Sequence, residues 1–146
     1  MSEFVASLSA NGVRYLVVGG YAVAAHGHPR FTKDLDIWIE ATPDNAQRVL
    51  KAMDAFGFSG LGLVAADFVE PGSVIQLGNP PQRIDLLTSM SGVQFGECYE
   101  MRVQLLVGSQ PVDFIDLDNL VRNKTASGRP QDLADVAALR KTSDSD

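Results

Sequence analysis

Residues 34–40 read Asp-Leu-Asp-Ile-Trp-Ile-Glu, so polar and apolar side chains alternate, with Trp38 as the one apolar residue at a position of the polar series. Alternation with a period of two predicts a β-strand that buries one face and turns the other away from the core. Asp34 and Asp36 then share a face with Trp38, and their Cα atoms lie about 6–7 Å apart. On that face Trp38 could either stack a nucleobase or pack under a helix. The chain must therefore form a sheet in which two carboxylates project side by side.

Two carboxylates at this spacing can bind one divalent cation, or bridge two cations about 3.5–4 Å apart. A third acid, Asp85, stands within the apolar run 84–87, where a charge is costly unless a metal or hydrogen bonds compensate it. This context predicts that strand 82–87 lies beside strand 34–40 and adds Asp85 to the same cluster. Hard oxygen ligands suit Mg²⁺, with Mn²⁺ as the alternative metal. A solvated edge strand would also explain Asp34 and Asp36, but not Asp85.

Gly19 and Gly20 separate the apolar stretch 13–18, a predicted buried strand, from a short helix predicted at 21–26. Glycines at such a junction let backbone amides approach a ligand closely, and a helix N-terminus attracts phosphate. The spacing fits neither a Walker A loop nor Gly-x-Gly-x-x-Gly, so the standard ATPase and dinucleotide-binding motifs are excluded. Taken alone, the two glycines favour a simple turn, and their value lies in their position shortly before Asp34.

The rest of the chain alternates helical and strand patterns, which predicts an α+β fold with a mixed sheet flanked by helices. Capping signals predict helices that begin or end at Gly12, Thr42 with Pro43, Gly57, Asp116 and Pro130. Further strands are predicted at 73–77, 101–107 and 111–115, with turns at 78–81 and 108–110. The last helix is predicted to bury Leu133, Val136, Ala137 and Leu139. One domain is expected over 1–141, followed by a flexible tail at 142–146.

Composition restricts the class of partner. The 146 residues include 18 acidic and 12 basic side chains, for a net charge of −6, which disfavours broad nonspecific DNA binding. The single cysteine, Cys98, cannot form an internal disulfide, and we expect a structural role for it. His26 and His28 favour a loop role over metal binding. With no signal peptide pattern and no apolar stretch of about 20 residues, we expect a cytoplasmic protein that does not bind membranes.

These features together resemble the nucleotidyltransferase superfamily that includes DNA polymerase beta. Its signature is a Gly-Gly or Gly-Ser turn, a short helix, two acids two residues apart on a strand, and a third acid on a neighbouring strand. Here the matching residues are Gly19-Gly20, Asp34-Leu35-Asp36 and Asp85. Within the superfamily, residues 19–37 are similar to small bacterial proteins related to the AbiEii-type toxins of toxin–antitoxin systems. Residues 120–124 and 128–135 resemble the closing motif of that group.

The resemblance implies the nucleotidyltransferase fold and an enzyme that moves a nucleoside monophosphate from a triphosphate such as ATP to an acceptor hydroxyl. Asp34 and Asp36 would bind Mg²⁺ and the triphosphate. Asp85 would hold a second metal ion and act as, or orient, the base that activates the acceptor. The amides of Gly19 and Gly20 would contact the β and γ phosphates, and pyrophosphate would leave.

The role of several other residues can be interpreted in two ways. Thr32 could bond phosphate or only its own loop. Lys124 is a candidate phosphate ligand, with a solvated lysine at a helix end as the alternative. Arg129, Asp132 and Asp135 belong to the closing motif, but helix-opening acids also favour the helix dipole without a catalytic role, so their function stays open.

The acceptor is not identified by the sequence. The AbiEii resemblance makes tRNA or a protein the expected acceptor and a cognate antitoxin an expected partner. Because the chain is short, dimerisation could supply a missing wall of the site. An enzyme that modifies an aminoglycoside or lincosamide antibiotic is the alternative within the class. A non-catalytic nucleotide-binding or antitoxin-like module is the alternative outside it.

Overall fold

In the described part of the chain, six strands form one mixed sheet, and six α-helices and a short 3₁₀ helix connect and pack against them. The strands are β1 (Tyr15–Val18), β2 (Asp34–Ile39), β3 (Val74–Leu77), β4 (Arg83–Leu87), β5 (Val103–Val107) and β6 (Gln110–Phe114). The α-helices are α1 (Ser2–Ala10), α2 (Gly19–Ala25), α3 (Pro43–Phe56), α4 (Phe95–Glu100), α5 (Leu117–Ser127) and α6 (Pro130–Asp144), and the 3₁₀ helix is Ala65–Phe68. The predicted α+β class with a mixed sheet is confirmed.

The computed structural model describes residues 2–78 and 83–144. Most of the turn predicted at 78–81 therefore lies outside the described residues, as do the last two residues of the predicted tail, 145 and 146. Helix α6 extends through the first part of that tail, to Asp144. Within the described ranges, no helix combines the length and the apolar character that a bilayer crossing needs.

The strand order in the sheet is β3-β4-β2-β1-β6-β5. Strands β2 and β4 run parallel, with Asp36 beside Asp85, and β1 pairs with β6 in the same parallel sense. The other three pairings, β1–β2, β3–β4 and β5–β6, are antiparallel. The predicted adjacency of the two acid-bearing strands is confirmed, and β2 and β4 begin at the same edge of the sheet.

Strand β2 divides its side chains as the alternation predicts. Leu35, Ile37 and Ile39 are buried in the core. On the other face Trp38 is also buried, and its ring contacts Phe95 of α4 edge-on, with 5.2 Å between the ring centroids. Of the two roles considered for Trp38, the structure supports packing under a helix. The six residues of α4 were not predicted, because so short a helix carries little periodicity.

Helix α3 begins and ends as its capping residues predict. The Thr42 side chain accepts a hydrogen bond from the Asn45 amide at 3.3 Å, and Pro43 is the first helical residue. Gly57 ends the helix with a φ of 104°, in the left-handed region that glycine tolerates best. Asp116 likewise caps α5 by accepting from the Asn119 amide.

The predicted buried face of α6 is partly wrong. Val136 and Leu139 are buried, but Leu133 is 49% exposed and Ala137 lies on the exposed side. Instead, two acids, Asp132 and Asp135, complete the buried face at helical spacing. The prediction failed because it assumed that only apolar side chains mark a buried face, whereas carboxylates can be buried when they have charged partners.

Candidate active site

A cavity of about 450 Å³ opens where β1 ends and where β2 and β4 begin. Gly19 and the three predicted acids line it from the sheet side, and α5 supplies part of the opposite wall through Lys124. The three acids line the same cavity because of the register of the sheet. Asp36 pairs with Asp85 across the parallel strands, and Asp34 lies two residues earlier on the same face of β2. The predicted cluster of three carboxylates is therefore brought to one cavity.

Arg83 lies among these acids. It occupies the register position beside Asp34 and precedes Asp85 by two residues on the same face of β4. Its Nη2 donates a hydrogen bond to Asp34 Oδ2 at 2.7 Å, and its Nε lies 3.2 Å from Asp85 Oδ1. Its position two residues before Asp85, on the same face of a predicted strand, is the sequence signal that indicates this contact.

The electrostatics of the site disfavour three charged acids. Burial, reinforced by the negative charges of Asp85 and Asp34, raises the pKa of Asp36 to about 6, while Lys124 and Arg83 act in the opposite direction. A carboxylate in these surroundings gains from any cation that enters the cavity. The site is therefore short of positive charge, despite the nearby guanidinium.

Asp85 is only 8% exposed, and its Oδ1 has an incomplete set of contacts. Within the described residues, neither this oxygen nor Arg83 Nε forms a hydrogen bond, although the two atoms are an ion pair by distance. A buried carboxylate oxygen without a hydrogen bond costs free energy, because water would have satisfied it in the unfolded chain. This oxygen is available to a ligand that fits the cavity.

The donor set suits a hard divalent cation, since it consists of carboxylate oxygens beside a cavity with room for water or phosphate oxygens. Among residues 2–78 and 83–144, no three acidic, histidine or cysteine side chains already converge as a metal site. Asp34 instead points to Arg83. The residues present thus fit Mg²⁺ or Mn²⁺ by their chemistry, provided that Asp34 turns from Arg83 toward the cation.

Gly19 and Gly20 are required by close packing. Gly19 has a φ of 66°, and a Cβ added there would collide with Asp36 Oδ2. A Cβ at Gly20 would lie 2.6 Å from the Thr32 hydroxyl oxygen. That hydroxyl donates to the Asp34 carbonyl oxygen at 3.3 Å. Thr32 therefore bonds its own loop, which is one of its two predicted roles, and helps to place Asp34.

Lys124 is buried, so the alternative of a solvated lysine is wrong. Its Nζ lies 3.0 Å from Asp132 Oδ1 and 2.9 Å from Asp135 Oδ2, and the residue still lines the cavity. The two acids of α6, whose roles the sequence left open, thus hold the ammonium in place. Whether Lys124 binds phosphate stays a prediction.

Two further cations complete this network. Arg129 Nε donates to Asp132 at 2.7 Å, and Arg30 donates to both oxygens of Asp135 at 3.0 and 3.1 Å. Burial opposes the charge on Asp132, but hydrogen bonds from Arg129, Lys124 and Ser127 outweigh it and lower its pKa to about 2. The pKa of Asp135 is lowered as well, by Lys124, Arg30 and Gln131 against the effect of burial. Helices α5 and α6 and the loop before β2 are thereby joined around Lys124.

Two other residues considered from the sequence, His26 and Cys98, have structural roles. His26 Nε2 is hydrogen-bonded to the Ile115 carbonyl oxygen at 2.7 Å, in agreement with the predicted loop role. Cys98 is fully buried, and burial with the nearby charges of Asp116 and Glu97 raises the pKa of its thiol to about 11. Such a thiol is a poor nucleophile at neutral pH.

Solved structures of two nucleotidyltransferase-like proteins share this fold. An antigenic nucleotidyltransferase-like protein from Paracoccidioides brasiliensis is 20% identical, with a TM-score of 0.57 over 94% of this chain and 72% of its own. A candidate nucleotidyltransferase from Thermotoga maritima is 13% identical, with a TM-score of 0.59 over 98% of this chain and 89% of its own. At these identities the likeness is one of fold alone.

No functionally curated protein matches the sequence. The model of one protein family does match, over residues 2–144, and that family is described as a nucleotidyltransferase of unknown function, DUF6036. The match spans nearly the whole chain and includes the glycine pair, all three acids and the network around Lys124. The chain therefore belongs to the DUF6036 family of nucleotidyltransferases.

Proposed function

We propose that this protein is a catalytically active nucleotidyltransferase that binds a divalent cation and a nucleoside triphosphate on Asp34, Asp36 and Asp85. The observation that carries the proposal is the parallel register of β2 and β4, which sets Asp36 beside Asp85 at the cavity. Membership of a nucleotidyltransferase family supports the same reaction class. The unsatisfied oxygen of Asp85 supports cation binding.

In the proposed reaction, Asp34 and Asp36 would hold the cation that binds the triphosphate, Mg²⁺ or Mn²⁺, and Asp85 would hold a second one. Such a cation, when bound, would polarise the α-phosphate and neutralise charge on the leaving group. Asp85 accepts or directs the proton of an acceptor hydroxyl. The acceptor oxygen forms a bond to the α-phosphorus, and the bond between that phosphorus and the bridging oxygen breaks, so that pyrophosphate leaves with the bond's electron pair.

Phosphate binding is assigned to the cavity walls. Gly19 lines the cavity, and its amide with that of Gly20 is proposed to contact the β and γ phosphates. Lys124 adds positive charge at the opposite wall, where Asp132 and Asp135 hold its ammonium. Because two acids already neutralise Lys124, we expect it to orient the triphosphate more than to supply most of the binding energy.

The proposed acceptor is tRNA or a protein, because the chain resembles AbiEii-type toxins. The same resemblance leads us to propose a toxin role with a cognate antitoxin, in the cytoplasm, and a homodimer that closes the site. ATP is included among the triphosphates to be tested. Two results would favour another function. One is transfer to an antibiotic, and the other is nucleotide binding without catalysis.

The test is a transfer assay with each α-labelled triphosphate in Mg²⁺ or Mn²⁺ buffer. Total RNA, cell protein and a panel of aminoglycosides and lincosamides serve as separate acceptors. We expect label on RNA or protein, equimolar pyrophosphate, and loss of both in Asp36→Asn. The exposed Asp54 provides a matched control, because Asp54→Asn makes the same chemical change on α3. Failure of every triphosphate to bind with Mg²⁺ in calorimetry would contradict the proposal.

A further inference from the structure

The three acids of the site already have a cation of the chain itself beside them, the guanidinium of Arg83. Arg83 contacts both outer members of the trio, through Nη2 to Asp34 and through Nε to Asp85. Both contacts lie on the cavity side of the sheet, since all three residues line the cavity. The guanidinium therefore offsets part of the negative charge of two carboxylates that would hold divalent cations.

The two contacts of Arg83 differ in quality. The one to Asp34 is a short, charge-assisted hydrogen bond of 2.7 Å. The one to Asp85 brings opposite charges to 3.2 Å without forming a hydrogen bond, and in the described part of the chain both atoms are left without one. Arg83 thus compensates the charge of Asp85 but does not satisfy its hydrogen-bonding capacity. A ligand that satisfies both groups can replace this contact at little cost.

Arg83 and a divalent cation are mutually exclusive at this position. A guanidinium within 3.2 Å of both carboxylates would repel a divalent cation bound to the same oxygens. While Asp34 Oδ2 accepts from Arg83, it is a weaker ligand for a cation, because the guanidinium occupies one of its lone pairs and offsets its charge. Because the Arg83 side chain is 31% exposed, it can turn away without disturbing the apolar core.

We propose that Arg83 is a displaceable counter-ion that couples cation binding to triphosphate binding. Without nucleotide, it competes with the divalent cation for Asp34 and Asp85. With nucleotide, its guanidinium moves to phosphate oxygens, which are good bidentate partners for arginine. Each ligand then promotes the binding of the other, because the triphosphate removes the competitor of the cation. This inference rests on the proposed function, since it takes the same site and the same substrate.

The test measures binding of Mn²⁺ alone by calorimetry and by the paramagnetic signal of the ion. It compares the wild-type chain, Arg83→Gln, Arg83→Lys, and Arg48→Gln as a control on the exposed surface of α3. We expect Arg83→Gln to bind Mn²⁺ alone about five- to tenfold more tightly than wild type, with Arg83→Lys between them. With Mn²⁺ present, a non-hydrolysable triphosphate analogue should bind about tenfold more weakly to Arg83→Gln. Arg48→Gln should leave both affinities unchanged.

Two outcomes would overturn the inference while leaving the proposed function intact. One is that Arg83→Gln and wild type bind Mn²⁺ alone with the same affinity, whereas Asp36→Asn binds none. The other is that Mn²⁺ and the analogue bind independently of each other in the wild-type chain. If the wild-type chain binds neither Mn²⁺ nor the analogue, the proposed function fails, and this inference fails with it. Circular dichroism of each variant separates these results from misfolding.

Discussion

Asp36 of β2 and Asp85 of β4 occupy paired positions in a parallel register, so that two acids 49 positions apart in sequence face one cavity. Burial makes the ionised form of Asp36 less favourable and raises its pKa, and the charge of Asp85 adds to the effect. The fold retains this costly pairing in a cavity that Gly19, the first residue of α2, and the buried Lys124 also line. Unfavourable carboxylate pairs of this kind are typical of cation-binding and catalytic sites.

Asp36→Asn should abolish transfer and stabilise the fold. The amide keeps the shape of the side chain but removes one of three neighbouring negative charges. We expect activity to fall by about 100-fold or more. The free energy of unfolding at a pH of about 8 should rise by roughly 1 kcal/mol. Transfer assays and urea unfolding measure the two effects, with Asp54→Asn expected to change neither. A variant that keeps its activity would count against the site.

The stability of the chain should depend on the ionisation of Asp36. Its folded pKa of about 6 exceeds the unfolded value of 3.8, so the native state holds the extra proton between these values. The contribution of Asp36 to the free energy of unfolding therefore decreases as pH rises from about 4 to about 7.

Asp132 affects stability at lower pH. Its folded pKa of about 2 lies below 3.8, so its stabilisation is complete above about pH 4 and is lost as pH falls toward 2.

Urea unfolding of wild type and Asp36→Asn at a series of pH values isolates this effect. The stability advantage of Asp36→Asn should be small below about pH 4, grow mainly between about pH 4 and pH 6, and level off above about pH 7. A constant difference across that range would show that the pKa of Asp36 is not raised in the folded chain.

Lys124→Met should destabilise the fold strongly. The change leaves the buried carboxylates of Asp132 and Asp135 without their shared ammonium, although each keeps one arginine contact. We expect a loss of about 3 kcal/mol in the free energy of unfolding. Lys51→Met, at an exposed position of α3, should change it by less than about 0.5 kcal/mol. Equal effects of the two variants in thermal or urea unfolding would contradict the network.

Gly19→Ala should impair the site through steric contact as well as backbone strain. The new Cβ would have a positive φ and would also push against the Asp36 carboxylate. Gly60→Ala is the matched control, because Gly60 has a φ of 81° but nothing within 4 Å of an added Cβ. We expect Gly60→Ala to cost about 1 kcal/mol. Gly19→Ala should cost more and also weaken Mn²⁺ binding, and an unchanged Mn²⁺ affinity would place Asp36 outside the cation site.

Local sequence signals were sufficient for the elements that support the site. The alternation in residues 34–40 determined which β2 side chains enter the core, and the cap residues Thr42, Pro43 and Gly57 determined the limits of α3. The apolar setting of Asp85 also predicted its neighbour strand correctly. Each of these inferences depends on a few consecutive residues and on a periodicity that the backbone imposes.

Only the tertiary structure determined how the charges of the site are paired. Arg83 is hydrogen-bonded to Asp34, 49 positions away in the sequence, and Arg30 is hydrogen-bonded to Asp135, 105 positions away. The buried face of α6 combines the apolar Val136 and Leu139 with two acids, Asp132 and Asp135, that are ion-paired with Lys124. The physical reason is that a charged side chain prefers solvent unless a partner of opposite charge offsets the cost of burial, and a local pattern does not reveal that partner. Local pattern can place a carboxylate on a strand, but long-range packing decides which cation it contacts.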